Sequence, residues 1–271
     1  MYKESLCKGD RVTRIAIDLD GVIWRGTELI EGSDSAIHAL VAAGHEVVFC
    51  TNHAQSPAMK LAVLSEFGID GISVITAAQA AAACCTPDQT VLILGDQSLS
   101  EVFFAAGIAA LNVQDLPADG PVPKVDVVVV GAYSLWDRSR IGLAADAIRS
   151  GARFLATNND ATFPASGTAG PRILPGNGSL IAALTAATDV IAEVAGKPHD
   201  AMAQVLLQEF GGIDVVVGDK AETDGGLAVR LGAKFALVLS GVTGESDLPV
   251  TPTPSYIGAN LAELVGLNVF G

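Results

Sequence analysis

Two aspartates one residue apart, Asp18 and Asp20, close the apolar run Ile15-Ala16-Ile17, and Gly21 follows at once. A buried strand that ends in acids carries them to its C-terminal end, where open α/β sheets bind ligands. Gly21 permits a tight turn there, so that main-chain N–H groups can approach an anion. Paired acids with no basic neighbour in sequence invite a divalent cation. Mg²⁺ is the natural choice for oxygen ligands and phosphate chemistry. An ordinary acidic turn is spelled the same way, so the pair alone does not decide the matter.

Three further runs end in polar groups. Phe49-Cys50 leads into Thr51-Asn52; the hydroxyl suits a phosphoryl oxygen, or equally a cap for the helix starting near Pro57. Ala195-Gly196 leads into Lys197, just ahead of a helix beginning near Asp200. From there one positive charge serves a carboxylate-rich site or faces water. Val215-Val216-Val217-Gly218 leads into Asp219, at the position of a metal ligand. Asp224, one helical turn on, orients Lys197 or a metal-bound water, or caps its helix.

These groups need a scaffold of alternating strands and helices. Val/Ile/Leu-rich runs at Arg14–Leu19, Glu46–Cys50, Ile72–Ile75, Val91–Leu94, Val125–Val130, Arg153–Thr157, Val190–Val194, Asp214–Gly218 and Phe235–Leu239 read as strands, several buried on both faces. Helical spacing appears at Ser33–Ala43, Pro57–Phe67, Asp137–Ser150, Ser179–Ala187, Asp200–Phe210 and Glu222–Leu231, many of these ending at a glycine. The alternation predicts βαβ units in a doubly wound parallel sheet. The alanine-rich run Ala77–Cys85 and the Gly/Pro-rich stretch Gly167–Gly178 read as seams. They divide the chain into a discontinuous domain of residues 1–77 and 179–271 and an inserted α/β unit of residues 78–178. Gly225 and Gly226 are out of place at a helix start, where each glycine costs ~1 kcal/mol against alanine; the sequence gives no firm account of them, and close helix–sheet packing is one way to explain them.

The four groups, in this order, resemble the four motifs of the haloacid-dehalogenase-like hydrolase superfamily. Asp18–Gly32 (DLDGVIWRGTELIEG), Thr157–Pro164 (TNNDATFP), Pro175–Leu184 (PGNGSLIAAL) and Gly218–Gly232 are similar to its class IIA, NagD-like branch, over roughly residues 12–266. Spacing agrees. The stretch from Asp18 to Thr51 is too short for a cap domain, whereas that from Thr51 to Lys197 holds the insertion. Asp20 marks the phosphatases of the superfamily rather than the dehalogenases.

The resemblance implies a Rossmann-like core with an inserted cap, and a Mg²⁺-dependent phosphatase of small phosphate monoesters. It implies Asp18 as nucleophile of an aspartyl-phosphate, Asp20 as acid and base, and Thr51 and Lys197 as groups that hold and neutralise the phosphoryl group. The metal would sit on Asp18, Asp219 and the Asp20 carbonyl. Gly21, Asn52, His53, Asn158, Asp160 and Asp224 are the expected substrate-side residues. His53 stands where relatives often carry asparagine, and it either faces the leaving group or caps the next helix. Lys220 also departs from the usual pattern. Trp24 and Trp136 read as packing residues, and His38, His45 and His199 as surface or helix-terminal ones. Cap-mediated homodimers are common in the branch.

Composition narrows the partners. The chain of 271 residues carries a formal net charge of −14 and only 5% aromatics. Such acidity opposes nucleic acid and anionic lipid. The substrates the resemblance implies are sugar, polyol or triose phosphates or nucleoside monophosphates, and the few aromatics lean toward a sugar, triose or glycerol phosphate. Mean hydropathy is +0.44, yet every apolar run is far shorter than the ~20 residues of a membrane helix. No apolar leader opens the chain, and Cys7, Cys50, Cys84 and Cys85 lack metal-site spacing, so reduced thiols and a cytoplasmic setting are expected. Two other activities fit the same residues: a phosphotransferase or mutase using the same aspartyl-phosphate, and a non-catalytic protein that binds a phosphometabolite.

Overall fold

The computed structural model describes residues 12–167 and 170–271; Cys7 lies outside them. Two parallel sheets form the frame. The first has six strands, in the order Tyr256–Gly258, Lys234–Val238, Val215–Gly218, Arg14–Ile17, Glu46–Thr51 and Ser73–Thr76. The second has five: Glu193–Val194, Arg153–Ala156, Val127–Gly131, Thr90–Gly95 and Ala109–Asn112. The expected α/β class and all nine expected strands are present within a few residues. The short pairs Trp24–Arg25/Glu28–Leu29 and Thr162–Gly167/Gly170–Pro175 are additional antiparallel hairpins. Ala109–Asn112 and Tyr256–Gly258 were not foreseen either, because edge strands of three or four residues with mixed burial carry little periodicity.

The central strands are apolar throughout because both of their faces are covered. Ile15 and Ile17 enter one apolar cluster with Phe49, Val215 and Val217. Ala16 enters the opposite one with Val48, Cys50 and Val216. This period-two division is what sandwiching a parallel sheet between helices demands.

The run expected as a seam is a helix, Ala77–Ala83, entered through a capping box in which Thr76 and Gln79 exchange hydrogen bonds. Its alanines at 77, 78, 80, 81 and 82 are buried. They share one cluster with Ile75 of the first sheet and with Val91, Ile93, Val127 and Val129 of the second. The expected seam at 178 falls inside the second layer. Helix Asn177–Thr188 buries Leu180 and Leu184 among residues of the second sheet, and Glu193–Val194 pairs with Arg153–Ala156. Both elements therefore stand with the second sheet, since their apolar side chains and free strand edge find partners there.

The helix expected over Glu222–Leu231 begins with a turn of π-helix, Ala221–Gly225, and continues as Gly226–Leu231. The two glycines have a steric cause. A Cβ on Gly225 would lie 3.0 Å from the Phe235 ring, and one on Gly226 would lie 2.6 Å from the Pro198 Cβ. Among the described residues no helix is long and apolar enough to cross a membrane.

Candidate active site

The chain runs outward from the strand Arg14–Ile17 on one side and from Val215–Gly218 on the other, so the C-terminal edge between them is a topological switch point. Ile17 lies in register with Val217 and with Phe49. Asp18, Asp219 and Thr51 therefore emerge together at this edge. The Asp18 N–H donates to the Val217 carbonyl at 2.9 Å, which carries the pairing to the edge itself.

Lys197 is the centre of the site. Its side chain is almost wholly buried, and Nζ reaches Asp18 Oδ1 at 2.8 Å and Asp224 Oδ1 at 2.7 Å. Burial alone would lower the lysine pKa, but Asp18 and Asp224 outweigh it and hold the ammonium charged, well above its ordinary value. For Asp18 burial wins: despite Lys197, its carboxyl stands well above the usual range. Asp219 is raised to about 6, by burial first and by the Asp224 charge second, against a hydrogen bond of 2.6 Å from the Val242 N–H.

Several groups expected to face the substrate hold this centre together instead. The side chain of Asn52 accepts from the Lys197 N–H at 2.7 Å and donates to its carbonyl at 3.1 Å, which fixes the lysine backbone. Asp224 is fully buried; beyond Lys197 it accepts from the Lys220 N–H at 3.2 Å. It orients the lysine, one of the roles expected for it. The Gly21 N–H is taken by the Trp24 carbonyl at 2.7 Å, so it is not a donor open to an anion. Position 21 instead requires the absence of a side chain, because a Cβ there would lie 2.2 Å from Asp219 Oδ2.

Asp20 stands apart and is half-exposed. Its Oδ1 accepts from the Trp24 indole N–H at 3.0 Å, and Oδ2 faces His53 Nε2 at 3.4 Å. Burial pushes its carboxyl up, but His53, Lys60 and Trp24 outweigh that and leave it below the ordinary value. His53 thus faces Asp20, while Ser56 occupies the N-cap of helix Pro57–Glu66. Thr51 is buried and its Oγ1 accepts from the His53 N–H at 3.2 Å.

The loop after Arg153–Ala156 closes one side. Asn158 donates to the Asn52 carbonyl at 2.8 Å, and its own oxygen accepts from the Asp160 N–H at 3.2 Å. Asp160 receives Lys220 Nζ at 2.9 Å and the Asn52 side chain at 3.3 Å. Asn158 is thus a loop organiser, and Asp160 ties the second layer to the first.

Three features of the site were not among the expected residues: Trp24 as a hydrogen-bond donor to Asp20, Lys60, and the loop Ser240–Val242. The loop carried a readable signal: it follows the strand Lys234–Val238 at the same sheet edge as the other groups. Lys60 carried none, because a lysine on a helix is ordinarily solvated. Here it is buried, with Nζ 6.0 Å from the centre of the Trp24 ring.

The donor set fits a hard divalent cation. One carboxylate oxygen each from Asp18, Asp219 and Asp224 lies within 4.8 Å of the others. Two of these acids are buried and Asp18 is largely so, one ammonium contacts Asp18 and Asp224, and burial has raised the pKa values of Asp18 and Asp219. This is uncompensated negative charge of the kind a bound cation relieves. The Asp20 carboxylate is held by Trp24 and His53 and is not one of the three. Nearby Cys50 is no rival nucleophile: burial drives its thiol up to about 12. Among the described residues Cys50, Cys84 and Cys85 are free.

Comparison with known proteins gives a consistent picture. Family models described as haloacid dehalogenase-like hydrolase and HAD-hydrolase-like match residues 15–109 and 194–264. A D-glycerol 3-phosphate phosphatase of Mycobacterium tuberculosis is 35% identical over 263 residues, covering 92% of this chain and 70% of that one. An acid sugar phosphatase of Staphylococcus aureus is 30% identical over 263 residues, covering 92% and 96%. The crystal structure of a glycerol phosphate phosphatase from Mycobacterium tuberculosis in complex with magnesium superposes with a TM-score of 0.79. It is 33% identical and covers 93% of this chain and 76% of that one.

Proposed function

Because the chain belongs to the haloacid dehalogenase-like hydrolases, in their class IIA, NagD-like branch, and is a phosphatase of small phosphate esters, we propose that Asp18 is its nucleophile. The observation that carries this is the contact of Asp18 Oδ1 with a buried lysine at 2.8 Å, at the C-terminal edge of the central strand. Lys197 keeps Asp18 aligned and offsets part of the repulsion between a carboxylate and a phosphate dianion.

Asp18 attacks phosphorus, the bond to the ester oxygen breaks, and the leaving alkoxide takes a proton from Asp20. Asp20 then takes a proton from water as that water attacks the aspartyl-phosphate, releasing inorganic phosphate and restoring Asp18. Thr51 holds a phosphoryl oxygen at the end of its strand. The Asp18 and Asp219 carboxylates with the Asp20 main-chain carbonyl would hold a divalent cation, magnesium, which when bound shields the phosphoryl charge from Asp18.

The second sheet and its helices act as a cap, with Asn158 and Asp160 on the loop that meets the first layer and closes the site to water. The relatives act on glycerol 3-phosphate and sugar phosphates. Together with the low aromatic content they support a sugar, triose or glycerol phosphate as substrate. Exposed Phe163 and Ile173 on the cap hairpin support a homodimer formed through the cap. Free thiols support a reducing, cytoplasmic setting.

Phosphate release is measured with Mg²⁺ over a panel of phosphate monoesters, with Asp18→Asn as control. Turnover that is lost in the variant and in EDTA is the expected result. Turnover that survives Asp18→Asn refutes the nucleophile.

A further inference from the structure

We infer that Trp24 and His53 are a positioning pair that holds the Asp20 carboxyl from its two sides and leaves Oδ2 as the oxygen that hands its proton to the departing alcohol. The inference rests on the reading of Asp20 as proton donor and deepens it.

Trp24 approaches from within the same turn. Its indole N–H reaches Oδ1 at 3.0 Å, and its main chain is locked because the Gly21 N–H donates to its carbonyl at 2.7 Å. The ring is 4% exposed and tilted against Phe67 at 6.2 Å. Lys60 lies over the ring at 6.0 Å. An indole nitrogen only donates, so Oδ1 must accept whichever protonation state Asp20 is in. The carbonyl oxygen of a neutral carboxyl is the better acceptor, so the indole favours the proton of Asp20 on Oδ2.

His53 approaches from the neighbouring strand. Its backbone is fixed at both ends: its N–H donates to Thr51 Oγ1 at 3.2 Å, and its carbonyl accepts from the Ala77 N–H at 3.1 Å. Its Nε2 faces Oδ2 at 3.4 Å, at the long end of hydrogen-bonding range. A neutral imidazole nitrogen donates or accepts according to tautomer, so His53 can hold Oδ2 in either state. The Asp20 and His53 side chains are 49% and 43% exposed. A pair so open adds little to fold stability, and its use lies in orientation.

The test compares two substrates on four variants. Glycerol phosphate must expel an alkoxide, which needs the proton. p-Nitrophenyl phosphate expels a stable phenolate, which does not; attack of water on the aspartyl-phosphate uses Asp20 with either substrate, so the rate compared is that of leaving-group release in a single turnover. Trp24→Phe and His53→Ala should each slow alcohol release from glycerol phosphate about tenfold, a fraction of the ~10²–10⁴ a whole proton donor supplies. On p-nitrophenyl phosphate they should change phenolate release less than about threefold, and the substrate concentration giving half-maximal release should stay put on both. His53→Gln, which keeps a donor and acceptor at similar reach, should recover most of the loss. Asp20→Asn should show the same discrimination more strongly. Equal slowing of both substrates by the Trp24 and His53 variants, with Asp20→Asn still discriminating, overturns the positioning pair alone. An Asp20→Asn variant that does not discriminate overturns the reading of Asp20 and this inference with it. If Trp24→Phe fails to fold, the half-exposed His53 variants carry the test.

Discussion

Replacing Asp219 by asparagine should make the metal-free protein more stable. Asp219 is 5% exposed, and its carboxyl is raised from 3.8 to about 6, chiefly by burial and then by Asp224. A rise of that size corresponds to ~3 kcal/mol of strain on the charged form. The sign follows from the direction. Below pH 3.8 the group is protonated folded and unfolded, and costs nothing; the cost grows between 3.8 and about 6, and above that it is complete. Asparagine keeps the shape and can still accept from the Val242 N–H while removing the charge. At pH 7, in EDTA, Asp219→Asn should therefore melt ~6–12 °C higher than the parent, at the 2–4 °C per kcal/mol typical of chains somewhat shorter than this one. At pH 4 the two should melt together. Adding Mg²⁺ closes the gap: the parent gains ~2.7 kcal/mol at a hundredfold excess over its dissociation constant, about the size of the strain, and the variant gains far less. Calorimetry across pH, with and without Mg²⁺, reads all of this. A variant less stable than the parent in EDTA at pH 7, or one equally stabilised by Mg²⁺, refutes Asp219 as a strained metal ligand.

Lys197→Met leaves Asp18 and Asp224 without their ammonium and should cost ~3–5 kcal/mol in urea unfolding at pH 7; adding Asp224→Asn should restore part of it, and strictly additive losses would contradict the shared contact. Lys220→Met breaks the tie to Asp160, a pair with side chains 36% and 28% exposed. It should shift stability by no more than ~1 kcal/mol while raising KM severalfold in steady-state assays, and an unchanged KM argues against a cap tie. Gly226→Ala places a methyl 2.6 Å from the Pro198 Cβ. It should destabilise by ~1–3 kcal/mol and lower kcat by displacing the neighbouring Lys197; a fully active, stable variant would show that the packing there is slack.

The class of fold was readable because buried parallel strands are uninterrupted Val, Ile and Leu, and because each polar group followed such a run. Asp18, Thr51, Lys197 and Asp219 were legible as strand-end groups for that reason, and the family resemblance suggested their roles. What sequence spacing could not say is which way a side chain turns once delivered. Asn52, Asp224 and Gly21 were expected to meet the substrate, and the first two instead grip Lys197. Trp24 read as packing, since nothing local shows that its indole N–H has an acceptor four residues back. The boundary near 178 was misplaced because glycines and prolines mark turns, whereas sheet membership is decided by which apolar face a later helix finds.

The alanine helix between the two sheets bears on how such a protein can be altered. Its buried methyls belong at once to the layer that carries Asp18 and to the second layer. A cap exchanged at residue 78 would arrive without the surface against which it was fitted, and would leave an apolar wall facing water. The smallest exchangeable piece therefore includes the helix, and specificity is better retuned on the Asn158–Asp160 loop than by transplanting the whole layer.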